Sequence, residues 1–272
     1  TLLSVVDQTR TSMGARMMMN WLLYPLNSAE PIEQRLDAVE ELFQEKSNRE
    51  VLRDLLQKVG DLERLLAKFA TGRANARDAN TIASTLHAAE QIRERLQKLQ
   101  SQMLLDNSRG IDPLTSIRDE IDRGIVENPP ISTTDGGMFK PGYHDELDEL
   151  RTITHSGKDW IARLQKSERE KTGIPSLKVN YNKVFGYYIE VTKPNLAKVP
   201  EHYIRKQTLV NAERFITQDL KEYEEKILGA EEKIAALEYD LFIELRDRIL
   251  AQARPLQENA KHLARIDCLT SL

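Results

Sequence analysis

An alternating stretch near the middle of the chain interrupts a pattern that is otherwise helical. Residues 172–192 read TGIPSLKVNYNKVFGYYIEVT. Apolar and polar residues alternate on both sides of a short turn at Val184–Gly186, and this period of two with a Gly-bearing turn is typical of an antiparallel β-hairpin. We therefore predict a hairpin inserted between helical segments. Its apolar positions are Leu177, Val179, Tyr181, Tyr187, Ile189 and Val191.

Long amphipathic patterns flank the hairpin on both sides. We predict one helix over residues 145–171 and a return helix from Thr217 to at least Arg254, which Pro255 kinks or ends before a short closing helix. Apolar residues of the return helix recur at alternating spacings of three and four, which predicts an antiparallel coiled-coil seam. The seam positions are Leu220, Tyr223, Ile227, Ala230, Ile234, Leu237 and Leu241.

Helical periodicity also dominates residues 1–126. We expect helices at 12–24, at 77–105 and at 114–125, followed by a Pro- and Gly-rich loop over 127–144. The fold class that follows is mainly α. It combines a helical core, long antiparallel coiled-coil-like helices and a small antiparallel β domain inserted at their tip.

The predicted domain organisation is discontinuous. Residues 1–157 and 218–272 would form the helical part, and residues 158–217 the β-rich part. The β-rich part holds twelve Lys and Arg against six Asp and Glu, within a chain of net charge −4. A local basic excess in an acidic chain indicates an anionic partner met at one place, although an ordinary solvated surface would have the same balance.

Aromatic residues are concentrated in the same segment. Seven of the sixteen aromatic residues of the chain lie in residues 158–217. They either form a small hydrophobic core or stack on nucleic-acid bases, and the residues alone leave both interpretations open.

The sequence has no catalytic signature. Its five histidines are scattered without metal-site spacing, and it has no GxGxxG, Walker A or GxSxG pattern. We therefore predict that this chain is not an enzyme and holds no cofactor or metal.

Cysteine use and hydropathy bear on location. The lone Cys268 excludes an internal disulfide and fits a reducing compartment, and no apolar run reaches the length of a membrane span. We expect a cytoplasmic protein without membrane contact, in which Cys268 is buried and inert. The chain begins with Thr instead of Met, so we also expect it to be part of a longer polypeptide.

Several strings in this sequence resemble one known family. SLKVNYNKVFGYYIEVT (176–192) and RKQTLVNAERFIT (205–217) resemble the clamp of the MutS family, whose members act in DNA mismatch repair. Three further strings resemble the core and lever of the same family, so the resemblance covers essentially the whole chain. They are LLSVVDQTRTSMGARMMMNWLLYPL, GDLERLLAKFATGRANARDA and ENPPISTTDGGMFKPGYHDELDELR.

The resemblance implies a function for the whole protein. Family members bear a mismatch-reading domain before this region and an ATPase domain after it, and neither is present in these residues. ATP and Mg²⁺ would bind in that ATPase domain. The resemblance further implies a homodimer on double-stranded DNA, in which the clamp contacts the DNA backbone and the lever transmits nucleotide state.

The DNA-binding residues implied by the resemblance lie in two turns and one strand. They are Asn182, Lys183, Arg205, Lys206, Val210 and Asn211. The chain departs from the family pattern at Val210, where a Lys is frequent, and at Phe215, which replaces the usual Tyr. We therefore expect the phosphate contacts to depend mainly on Lys183, Arg205 and Lys206 and on the amide of Asn211. Both Asn side chains could instead serve only the geometry of their turns.

A protein-interaction module is the alternative to a DNA-binding one. In that case the β tip would bind another protein and the basic excess would be incidental. Binding to phosphates weakens steeply with salt, whereas an apolar protein contact persists, so salt dependence separates the two hypotheses.

We predict that the purified chain neither binds nor hydrolyses ATP, because it lacks a phosphate-cradling Gly-rich loop with Lys-Ser/Thr. A phosphate-release assay on the 272-residue chain checks this expectation. Turnover that follows the protein through successive purification steps would contradict it.

Overall fold

The computed structural model describes residues 2–182 and 186–272. The chain divides into two compact units, which we call the first unit (1–140 with 239–272) and the second unit (141–238). The second unit contains the predicted β-rich segment together with helical residues on both sides of it. The domain boundaries inferred from the sequence stay a prediction.

Helices make up the first unit, as the periodicity predicts. Their bounds are α1 Leu2–Val6, α2 Ser12–Leu23, α3 Ala29–Gln44, α4 Lys46–Leu56, α5 Leu62–Ala70, α6 Ala76–Leu96, α7 Gln102–Gly110, α8 Thr115–Gly124 and α11 Ala253–Ser271. The helix α10, Gln218–Ala251, has residues in both units. The chain is thus mainly α, as expected.

The prediction of one helix over 77–105 is wrong, because α6 ends at Leu96 and α7 begins at Gln102. The carboxylate of Glu41, on α3, accepts the backbone N–H groups of Gln100 and Ser101 at 2.7 Å each. These donors lie directly before α7, so a distant side chain holds the point at which the new helix begins.

The predicted break at Pro255 is also placed wrongly. The helix α10 ends at Ala251 and α11 begins at Ala253, so Pro255 is the third residue of a 19-residue helix. Proline is tolerated in the first turn because the N–H groups there have no partner within the helix. The closing helix is therefore long.

The helix α11 lies at the centre of the first unit. It contacts α2, α3, α4, α5 and α7, while α6 contacts α4, α7 and α8. Apolar side chains of α11 are buried along most of its length, including Leu256, Leu263 and Ile266. Cys268 is buried as well, and burial raises the pKa of its thiol to about 12, so it stays protonated at neutral pH.

A buried carboxylate on α11 holds the start of α2. Asp267 accepts the N–H of Arg10 at 2.8 Å and both the N–H and the hydroxyl of Thr11 at 2.7 Å. The hydroxyl of Thr11 in turn accepts the N–H of Gly14, which caps α2. A Cβ on Gly14 would collide with the Asp267 carboxylate, so this approach requires glycine.

The second unit combines helices with a four-stranded antiparallel sheet. Its elements are α9 Asp145–Thr172, β1 Lys178–Asn182, β2 Gly186–Thr192, a 3₁₀ helix Lys193–Lys198, β3 Ile204–Thr208, β4 Ala212–Ile216 and the first part of α10. The order of the strands in the sheet is β1-β2-β4-β3. The predicted hairpin is confirmed as β1 and β2, although residues 183–185 of its turn lie outside the described residues.

One face of the sheet carries the core of the second unit. Ile189, Val191 and Phe215 lie on that face, where they form a buried cluster with Tyr203 and with Leu220 of α10. Trp160 of α9 packs against this cluster and stacks on Tyr223 of α10, with ring centroids 3.8 Å apart. Several aromatic residues of the basic segment therefore build a hydrophobic core. The coiled-coil arrangement of the two long helices stays a prediction.

We predict that Gly14→Ala lowers the free energy of unfolding by about 1–3 kcal/mol, because the added methyl group forces Asp267 away from its backbone donors. Gly229→Ala is the matched control: Gly229 lies within α10 with nothing within 4 Å of an added Cβ, so the change should stabilise by about 0.5–1 kcal/mol. Chemical denaturation of both variants measures the two effects. Equal stability of the two variants would show that the approach at Gly14 is not tight.

Candidate functional site

The two hairpin turns that carry predicted DNA-binding residues lie at opposite ends of the sheet. Asn182 pairs with Gly186 at one end of β2, and Thr192 pairs with Ala212 at the other end. The seven residues of β2 separate these ends by about 20 Å at the usual rise of a strand. We call them the β1–β2 end and the β3–β4 end. The predicted residues therefore do not form one tip.

The β1–β2 end is tied to α10 by a carboxylate. Gly186 has a φ of 73°, which favours glycine, and a Cβ there would collide with the side chain of Glu224. Glu224 accepts the N–H of Tyr187 at 3.1 Å. Burial, with Glu231 and Glu224 nearby, raises the pKa of Tyr187. Negative charge therefore borders this end, where Asn182 is partly buried; the predicted Lys183 lies outside the described residues.

The turn of the β3–β4 end, residues 209–211, carries no charged side chain, and the nearby Glu213 is paired with Arg205. Val210 is 83% exposed and Asn211 is also exposed. The backbone carbonyl of Asn211 accepts the N–H of Lys193 at 3.1 Å, which brings an exposed lysine next to the turn. The sequence reasoning missed Lys193, because only the pairing of β2 with β4 places it there. Two signals were available in the sequence: Lys193 lies in the basic segment, and it directly follows a predicted strand.

The edge strand β3 carries the other two predicted residues. The register between β3 and β4 shifts between Arg205 and Gln207, so Lys206 is the extra residue of a β-bulge. Lys206 is exposed and makes no ion pair with any described residue. The Arg205 Nε lies 2.7 Å from Oε2 of Glu213, whose side chain is 8% exposed against 62% for Arg205. Arg205 thus neutralises a buried carboxylate and still presents its outer N–H groups to solvent.

On the face of the sheet opposite the core, Arg214 is held by contacts with side chains of the neighbouring strands. The Arg214 guanidinium lies 4.3 Å from the ring centroid of Tyr188, which is buried beneath it. Arg214 also contacts Glu190 at 3.3 Å and donates to Gln207 at 2.8 Å. These contacts occupy Arg214 and hold three strands together, so it adds less to an anion site than its charge suggests.

A buried carboxylate connects α9 to the segment before β3. Glu168 accepts the hydroxyl of Tyr203 at 2.6 Å and the ammonium of Lys171 at 2.9 Å. Burial alone would raise the pKa of Glu168, but these two hydrogen bonds outweigh it and lower the pKa. Burial and the bond to Glu168 raise the pKa of Tyr203. The pair therefore favours ionised Glu168 and protonated Tyr203.

Within residues 2–182 and 186–272, no three His, Cys, Asp or Glu side chains are grouped so that they could hold a metal ion. Among the same residues, no helix is both long and apolar enough to cross a bilayer.

Comparison with known proteins gives one consistent family. Residues 1–272 match the family model for MutS domain III. The chain is 49% identical over 272 residues to the DNA mismatch repair protein MutS of Halothermothrix orenii, covering all of this chain and 30% of that relative. It is 48% identical to the MutS of Bacteroides fragilis and 50% identical to that of Desulfitobacterium hafniense, covering 31% and 32% of them. The chain thus spans about a third of the length of the curated relatives it matches.

We predict that Glu168→Gln removes part of the acid sensitivity of the second unit. Because the folded-state pKa of Glu168 is lowered, its stabilisation is complete above the unfolded value of 4.5 and is lost as the pH falls through the folded-state pKa. Thermal unfolding between about pH 3 and 7 measures this loss. Glu201→Gln, at an exposed carboxylate, is the matched control. An unchanged pH profile for Glu168→Gln would contradict the role of the pair.

Proposed function

The chain belongs to the MutS family of DNA mismatch-repair proteins, as its motifs predict, and on that premise we propose that it forms the clamp and the lever of such a protein. In this proposal the second unit contacts the backbone of double-stranded DNA without sequence preference, and the long helices couple this contact to an ATPase domain outside the chain. The whole protein would act as a homodimer in the cytoplasm. The chain itself contributes no catalysis.

A nucleotide-hydrolysing site with bound Mg²⁺ does not fit the residues present here. The sequence has no Gly-rich loop with Lys-Ser/Thr to cradle phosphates, and the described residues contain no metal-ligand group. In this proposal the nucleotide binds outside these 272 residues.

The observation that carries the proposal is the exposed basic surface around the β3–β4 end. Lys193 flanks the turn at Asn211, and Lys206 projects from the adjoining edge strand. Lysine ammonium groups and an Asn amide are donors that bind phosphate oxygens without reading the bases. Arg205 would add its outer N–H groups while its Nε stays with Glu213.

The two ends of the sheet contribute unequally in this proposal. Glu224 and Glu231 border the β1–β2 end, and their negative charge opposes the approach of phosphate. We therefore assign the principal contacts to the β3–β4 end, and Asn182 and Lys183 remain predicted secondary contacts. The two ends lie about 20 Å apart along β2, so a duplex that contacts both must span that distance.

Contacts between α9 and α10 within the second unit support the lever. Arg151 of α9 donates to Glu238 of α10 at 2.7 Å, and the Glu238 side chain is fully buried. Removing one partner of a buried ion pair costs about 3–5 kcal/mol, because the other charge is left without compensation. Together with the stacking of Trp160 on Tyr223, this pair would make the two helices move as one body.

One observation favours a second candidate, a protein-binding surface. Ile204 and Val210 are 54% and 83% exposed on and beside the edge strand β3. An edge strand with exposed apolar residues can accept a strand from another protein. The bulge at Lys206 and the charge of Arg205 oppose such pairing, since both are features that protect edges.

We predict that Lys206→Ala and Lys193→Ala each reduce the log–log salt slope of DNA binding by about 0.9, the contribution of one neutralised phosphate. The affinity should fall equally for matched and mismatched duplexes, because backbone contacts carry no sequence information. Lys183→Ala tests the contribution of the β1–β2 turn in the same assay. The sequence predicts that this change reduces the salt slope by about one. Fluorescence anisotropy over a salt series gives all three slopes.

Lys233→Ala is the matched control, since Lys233 is an exposed lysine on α10 and not part of the sheet. It should leave the slope unchanged. The assignment fails if Lys233→Ala changes the slope as much as Lys206→Ala does. It also fails if the variants discriminate between matched and mismatched duplexes. Capture of a protein that persists at high salt, without DNA binding, would favour the second candidate.

A further inference from the structure

Three arginines line one surface pocket of the first unit. The pocket has a volume of about 500 Å³, and Arg93 of α6, Arg109 of α7 and Arg254 of α11 contribute to its wall. This volume lies within the roughly 300–1,000 Å³ of ordinary small-molecule sites. The three side chains come from three different helices, so the tertiary fold concentrates positive charge at one concave place.

Two of the arginines make no ion pair with a described residue, although Arg254 lies within the electrostatic reach of Glu258. Neither Arg93 nor Arg254 makes a side-chain hydrogen bond or ion pair with any described residue, and the Nε of Arg93 is buried without an acceptor. A buried donor without a partner costs free energy, which a bound acceptor would recover. Arg109 contacts Asp106 at 3.1 Å, but its side chain is 70% exposed. Most of its donors therefore remain available.

The acidic residues of the pocket wall are engaged with other groups. Asp112 accepts the N–H of Leu114 at 3.0 Å, and Glu258 pairs with Lys261 at 2.8 Å. The hydrogen bond and charge of Lys261, with a smaller contribution from the charge of Arg254, lower the pKa of Glu258. Neither carboxylate compensates Arg93.

We propose that this pocket is a binding site for a phosphate group. A planar guanidinium presents donors in a fork that matches the oxygens of phosphate, and three of them suit a dianionic or more highly charged group. The first turn of α11, which carries Arg254 and Pro255 in the wall, adds the positive end of a helix dipole. Arg93, which extends from α6 into the wall, is the central ligand.

The phosphate can come from a small molecule or from a nucleic-acid backbone. Both sources present the same chemistry to the arginines, and the pocket is open enough to admit either. The proposal does not depend on the DNA contacts of the second unit, because none of these residues lies in residues 141–238. Either proposal can fail while the other stands.

The test measures binding of pyrophosphate and of a DNA duplex to the 272-residue chain and to Arg93→Gln, Arg254→Gln and Arg95→Gln. Arg95 is the matched control because it is an exposed arginine on the same helix, outside the pocket wall. Titration calorimetry follows pyrophosphate and anisotropy follows the duplex. We expect saturable binding that weakens about tenfold in Arg93→Gln and in Arg254→Gln, and that stays unchanged in Arg95→Gln.

The outcomes separate the sources of the phosphate. Loss of pyrophosphate binding assigns the pocket to a small molecule, and loss of duplex affinity alone assigns it to a nucleic-acid backbone. Absence of an effect of Arg93→Gln and Arg254→Gln in both arms overturns the site, as does an equal loss in Arg95→Gln. Thermal unfolding of each variant controls for damage to the fold. Arg254 is exposed, so Arg254→Gln should fold normally and tests the site even if Arg93→Gln is unstable.

Discussion

The buried carboxylate of Asp267 is the interaction on which the helical unit depends. It joins the last helix of the chain to the first residues of α2, and the three donors from Arg10 and Thr11 offset much of the cost of burying it. Burial still raises the pKa of Asp267. Only glycine at position 14 lets α2 approach so closely. α11 also contacts four other helices of this unit. A shift of Asp267 would therefore disturb most of the helix packing in the first unit.

In the second unit, the order of the strands in the sheet determines where the turns and the charged side chains lie. Placing β4 between β2 and β3 separates the two hairpin turns and leaves β3 as an edge. Charge is then distributed unevenly, with Glu224 at one end of the sheet and Lys193 at the other. In the proposed function this asymmetry assigns the DNA-backbone contact to the β3–β4 end, since phosphate avoids acidic groups. The buried pair of Glu168 and Tyr203 holds the segment that leads into β3.

Local patterns in the sequence predicted a large part of this structure. The hairpin over 178–192 follows from alternation between adjacent residues, and the helix over 145–171 follows from apolar spacing within one segment. Both signals depend on interactions between neighbours in the sequence, so one sequence suffices to find them. The same reasoning failed between α6 and α7, because Glu41 lies about sixty residues away and no local pattern reveals that it accepts two backbone N–H groups there.

The sequence by itself thus determined the mainly helical class, the β insert, its basic excess and the resemblance to one family, since each depends on residue order or composition. Tertiary structure alone decided which charged groups meet. It placed Lys193 beside Asn211, engaged Arg205 with Glu213, and brought three arginines from separate helices to one pocket. The physical reason is that a charge acts through distance in space and through the dielectric around it, and folding sets both.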